Sequence, residues 1–86
     1  MRLRIPEPFK EDYKALPREI KRLADKQIGF LATNLKHPSL QVHKIKGTKD
    51  KWEAYVSVKY RMTFQIEDDT IILRKIGVHN KVLENP

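Results

Sequence analysis

Trp52-Glu53-Ala54-Tyr55-Val56-Ser57-Val58-Lys59-Tyr60-Arg61-Met62-Thr63-Phe64-Gln65-Ile66-Glu67 alternates apolar and polar side chains without a break. Trp52, Ala54, Val56, Val58, Tyr60, Met62, Phe64 and Ile66 share one parity, and the other parity is polar apart from the amphipathic Tyr55. A period of two is the signature of a half-buried strand. Strands rarely exceed about 10 residues, so the stretch must turn back on itself, and a turn is placed near Ser57–Tyr60. Asp68-Asp69 is a second turn, and Thr70 to Ile76 reads as the last strand, ended by Gly77. Val78 to Pro86 reads as a tail carrying His79.

Upstream the pattern changes. Ile20, Leu23, Ala24, Ile28, Leu31, Ala32 and Leu35 fall on one helical stripe, with Lys21, Arg22, Asp25 and Lys26 mostly off it. Phe9, Tyr13 and Leu16 mark a shorter helix before Pro17, a residue suited to opening the next one. Residues 2–6 alternate weakly and read as a short edge strand; Leu40 to Lys46 reads as another strand, ending at Gly47. The order is strand, two helices, then about four strands. It predicts an α+β fold in which a helical hairpin covers one face of an antiparallel sheet and leaves the other face open.

The 86 residues suit a single domain, 1–86, with no repeat or linker. Cysteine is absent, which excludes disulfides and thiolate metal sites. His37, His43 and His79 lack paired ligand spacing, and the three glycines are isolated, so neither a metal nor a phosphate-loop cofactor is expected. Apolar runs stop at three residues, and the start, Met1-Arg2-Leu3-Arg4-Ile5-Pro6, is not a signal peptide; a cytoplasmic protein without membrane contact is expected.

The net charge of +7 favours a polyanionic partner. From Lys36 to Arg61 there are seven basic residues and two acidic ones, so this stretch holds five of the seven net charges. On the open sheet face, His43, Lys44, Lys46, Glu53, Tyr55, Arg61 and His79 form a polar set suited to RNA, cations meeting phosphate and rings meeting bases. Lys59, beside the turn, adds to it.

Three ordered motifs, His43-Lys44-Ile45-Lys46-Gly47, Tyr60-Arg61-Met62-Thr63-Phe64 and Ile76-Gly77-Val78-His79, together with His37-Pro38-Ser39-Leu40 and Trp52-Glu53-Ala54, resemble the RelE/ParE toxin superfamily of toxin–antitoxin pairs, the YafQ-like branch above all. The resemblance covers nearly the whole chain. It implies a RelE-like fold and a type II toxin that cleaves messenger RNA on the ribosome, a 2′-hydroxyl attacking the adjacent phosphorus without a metal. It also implies a cognate antitoxin as partner; the small apolar reserve of the chain predicts a monomer alone or a hetero-oligomer with that antitoxin.

Carried onto this chain, the resemblance makes Arg61 the phosphate cation and His79 and His43 the acid–base pair. Lys44, Lys46, Tyr55 and Lys59 become RNA-binding residues. Glu53 is either a base or a salt-bridge partner of Arg61. The chain departs from the family twice: Glu53 and Tyr55 occupy the strand where RelE carries catalytic lysines, and Lys81-Val82-Leu83 replaces the usual aromatic after the histidine. These departures keep two alternatives open, a non-cleaving ParE-like toxin of DNA gyrase and a catalytically inactive relative.

Overall fold

The computed structural model describes residues Met1–Pro86. Its elements in chain order are β1 (Arg2–Arg4), α1 (Glu7–Lys14), α2 (Arg18–Thr33), a 3-10 turn at Pro38–Leu40, β2 (His43–Lys44), β3 (Trp52–Tyr55), β4 (Tyr60–Glu67), β5 (Thr70–Val78) and α3 (His79–Glu84). The strands form one five-stranded sheet in the order β1-β5-β4-β3-β2.

The first two helices each start at a proline. Pro6 and Pro17 occupy the N-cap positions of α1 and α2, where no backbone N–H is missed, and Glu7 and Glu19 place negative charge in the first turns. Tyr13 Oη donates to Asp25 Oδ1 at 2.6 Å and ties the two helices together. The side of the sheet that meets them carries Ala54, Met62, Phe64, Ile71, Leu73 and Ile76, which pack with Phe9, Leu16, Ala24 and Leu31 into one buried cluster.

The long alternating stretch does divide into two antiparallel strands, with residues 56–59 between β3 and β4. Asp68 turns β4 into β5 with a φ of 54°, a left-handed conformation that Asp tolerates better than most residues. A bulge interrupts this second pairing: Thr63 faces Lys75 and Phe64 faces Leu73, which leaves Arg74 as the extra residue. The bulge resets the alternation, so that Ile71, Leu73 and Ile76 are all buried although their numbers change parity.

Four expectations are corrected. The sheet is mixed, because β1 pairs parallel to β5 and covers only residues 2–4. The strand expected over 40–46 shrinks to His43–Lys44, since Pro38–Leu40 curls into a 3-10 turn and Gln41 is left-handed. The last strand continues to Val78, Gly77 pairing with Arg61. Residues 79–84, read as tail, form α3, which folds back over β4 and β5 on the face opposite α1 and α2 and buries Val82. That second face is therefore partly covered. A short helix with one buried apolar residue gives little periodic signal, which is why the sequence pattern misses it.

Gln27 lies on the apolar stripe of α2 and is 3% exposed. Its Nε2 donates to the backbone carbonyls of Ser39 (3.0 Å) and Tyr55 (2.8 Å), and its Oε1 accepts from Ser39 Oγ at 3.2 Å. One side chain thus joins a helix, the 3-10 turn and the end of β3. Gln27→Leu keeps the volume but leaves these groups unpaired in a buried place; a loss of about 1–3 kcal/mol is expected in urea denaturation.

The Asp25 carboxylate, as hydrogen-bond acceptor, raises the ionisation of the Tyr13 phenol above its ordinary value of 10.0. A raised phenol contributes stability that is complete below the unfolded value and is lost as pH rises through the folded one. The stability difference between wild type and Tyr13→Phe is therefore expected to narrow above about pH 10, read from urea curves at pH 8 and pH 11.

Candidate functional site

On the sheet face away from α1 and α2, cross-strand register sets side chains in rows. His43, Glu53, Thr63 and Lys75 make one row across β2, β3, β4 and β5; Tyr55, Arg61 and Gly77 make the next. Rows of equal parity lie about 7 Å apart along a strand. His79 enters from the first residue of α3, whose backbone N–H donates to the Lys59 carbonyl at 2.8 Å.

Glu53 is the centre of this arrangement. Its side chain is 4% exposed, whereas those of His43 and His79 are 60% and 40% exposed. Oε1 lies 2.9 Å from His43 Nε2, and Oε2 lies 3.5 Å from His79 Nε2, an ion-pair distance at which no hydrogen bond closes. A buried carboxylate oxygen without a hydrogen bond is costly in place. His43 Nδ1 sits 3.0 Å from the Gln41 carbonyl oxygen, so both ring nitrogens of His43 are engaged.

The three groups open onto a cleft of about 450 Å³ lined by His43, Lys44, Ile45, Lys46, Glu53, His79 and Leu83. Lys44 and Lys46 are both exposed at its rim. The cleft thus combines two imidazoles, one buried carboxylate and two exposed cations.

Arg61 occupies the neighbouring row and is not paired with Glu53. Its Nη1 turns back onto the β3–β4 turn and donates to the carbonyls of Ser57, Val58 (3.3 Å) and Tyr60 (2.9 Å). The guanidinium also stands 4.6 Å from the Tyr55 ring centre, close enough for cation–π attraction. One nitrogen is thereby anchored, while Nε and Nη2 have no hydrogen-bond partner within the chain. Lys59 is exposed in the same turn.

The structure therefore brings His43, Glu53 and His79 together, sets Arg61 and Tyr55 one row away, and puts Lys44 and Lys46 at the rim. Two contributors escape the sequence reading. Gln27, which holds the Tyr55 carbonyl, was visible as a polar residue on an apolar stripe. Gln41, which holds His43, acts through its backbone and leaves no side-chain signal.

No protein-family model matches the sequence, and no curated protein is similar to it. Solved structures are similar in fold. YafQ from Escherichia coli strain BL21(DE3) superposes with a TM-score of 0.80 at 17% identity, over 95% of this chain and 98% of the other. The RelB–RelE antitoxin–toxin complex of Methanococcus jannaschii gives 0.77 at 22% identity over 96% and 99%. A YoeB/ParE toxin from Agrobacterium tumefaciens gives 0.76 at 12% identity over 92% and 99%. The chain has the fold of the RelE/ParE toxins of toxin–antitoxin systems, as its ordered motifs implied. No helix is long and apolar enough to cross a membrane.

Arg61 anchors the β3–β4 turn, and Arg61→Ala frees three carbonyls from a charged donor. An expected loss of about 1–2 kcal/mol, read by thermal denaturation, accompanies faster hydrogen exchange at the Tyr60 amide, which donates to Ser57 at 3.2 Å.

Proposed function

We propose that the chain is the toxin of a type II toxin–antitoxin pair and a ribosome-dependent endoribonuclease of cytoplasmic messenger RNA. The observation that carries this reading is the buried Glu53 carboxylate held between His43 and His79 in a basic cleft. A surface that only binds RNA has no use for a carboxylate sunk between two imidazoles.

The chemistry follows from the placement. The 2′-hydroxyl of the target nucleotide attacks the adjacent phosphorus and gives its proton to His79, whose ring is loosely held and backed by Glu53. The bond from phosphorus to the 5′-oxygen breaks, and that oxygen takes the Nε2 proton of His43. The products are a 2′,3′-cyclic phosphate and a 5′-hydroxyl end, and all proton transfers run through imidazole. General acid–base groups of this kind contribute about 10²–10⁴-fold in rate.

Arg61 supplies the cation. With Nη1 fixed on the turn, Nε and Nη2 remain as a fork for two phosphoryl oxygens, which bear the charge that builds during attack. Tyr55 holds the guanidinium plane and offers a ring to a base, while Lys44, Lys46 and Lys59 guide the RNA backbone and give a salt-sensitive affinity. Glu53 acts as the charge partner of the two histidines rather than of Arg61. A cognate antitoxin covers this basic face, and the toxin is a monomer alone or part of a hetero-oligomer with it.

Mapping of messenger RNA 5′ ends after induction tests the reading. New ends in register with the reading frame are expected in wild type, and His43→Ala or His79→Ala should lower cleavage on purified translating ribosomes about 10²–10⁴-fold. Growth arrest without cuts, accompanied by loss of gyrase supercoiling, would instead assign the ParE-like activity. Neither arrest nor cuts would mark an inactive relative.

A further inference from the structure

We infer that Gln41 is a positioning residue that acts through its backbone, fixing the proton on His43 Nδ1 so that only the Nε2 proton moves. The catalytic consequence rests on the ribonuclease reading above; the geometry does not. Gln41 adopts φ 47° and ψ 45°, a left-handed conformation uncommon for a residue with a side chain. Its neighbours explain why it persists: Leu40 is fully buried and Val42 packs against the core. The chain must therefore reverse between two inward side chains, and the surrounding packing holds the strained residue in place.

The result is a carbonyl aimed at a catalytic ring. Gln41 O lies 3.0 Å from His43 Nδ1, and a carbonyl oxygen can only accept, so Nδ1 carries a hydrogen. On the other side, Nε2 lies 2.9 Å from Glu53 Oε1. That contact needs a proton of its own, held either by Nε2 beside a carboxylate or by the carboxyl group beside a bare Nε2. In both cases Nδ1 keeps its hydrogen, and the transferable proton lies on the line from Nε2 to Oε1. The other charged groups of the cleft, His79, Lys44 and Lys46, make no bond to the ring.

This arrangement gives the Gln41 side chain no role, since it is exposed and bonded to nothing. What matters is the backbone angle. Glycine adopts it freely, alanine with a moderate penalty, and a β-branched residue with a large one. The order of effects across a substitution series is therefore set in advance: Gly like wild type, Ala intermediate, Val most disturbed.

Long-range proton–nitrogen correlation spectra of the histidine rings in the free, ¹⁵N-labelled protein test this between about pH 5 and 8.5, the range in which imidazole titrates. In wild type and Gln41→Gly, His43 Nδ1 is expected to remain protonated throughout, with only Nε2 changing its shift. In Gln41→Val, Nδ1 loses its proton in a fraction of molecules at the upper end. Gln41→Ala lies between and carries the test if the Val variant does not fold. A wild-type Nδ1 that deprotonates, or a series in which Val or Ala matches wild type, overturns the inference. No RNA enters these spectra, so they stand or fall apart from the ribonuclease reading. On ribosomes, the Val variant is expected to lose about tenfold to a hundredfold in kcat with KM unchanged, and the Gly variant to retain activity.

Discussion

A carboxylate buried in a small protein must be compensated, and much of this fold's second layer can be understood as the compensation of Glu53. Desolvating an isolated carboxylate costs several kcal/mol even after relaxation. Here the charge is met by two imidazoles: His43, its direct neighbour on the edge strand, and His79 from the helix that follows β5. Glu53 pairs with His43 directly across the β2–β3 ladder and with Thr63 on β4. The site is complete only when β2 has paired and α3 has folded back.

The bulge in β5 serves the same outer layer as α3. Without the extra residue at Arg74, the second half of that strand would turn its apolar side chains outward. With it, Ile76 stays in the core, and Arg74 reaches across the outer face. Its Nε donates to the Pro86 carbonyl at 2.9 Å and its Nη1 to Gln65 Oε1 at 2.9 Å. Thr63 Oγ1 donates to the same Pro86 carbonyl at 3.2 Å. A local irregularity thus serves both layers at once, sealing the core on one side and tethering the segment that carries His79 on the other.

The cleft that results is small and asymmetric. His43 is bonded at both nitrogens and His79 at neither firmly, so two chemically identical side chains sit in different hydrogen-bonding surroundings. Arg61 is likewise divided, one nitrogen belonging to the turn and the rest of its fork without a hydrogen-bond partner in the chain. Interactions that stabilise the fold and groups available for chemistry therefore share the same residues. That sharing explains how so short a chain can carry a site while burying only 16 residues.

The alternating stretch from Trp52 to Glu67, the stripe on α2 and the charge excess between Lys36 and Arg61 determined the fold class, the sheet faces and the polarity of the site. Period and charge are properties of the chain order itself. The ordered motifs around His43, Arg61 and His79 also pointed to the toxin fold that the solved structures share. The tertiary structure alone decided the rest: the parallel pairing of β1, the shortening of β2, the folding of residues 79–84 into a helix, and the pairing of Glu53 with two histidines instead of Arg61. Each of these depends on which distant groups meet, and on backbone angles such as that of Gln41, where a left-handed turn between buried Leu40 and half-buried Val42 aims a carbonyl. Residue order carries periodicity; it does not carry the meeting of a carbonyl with a ring.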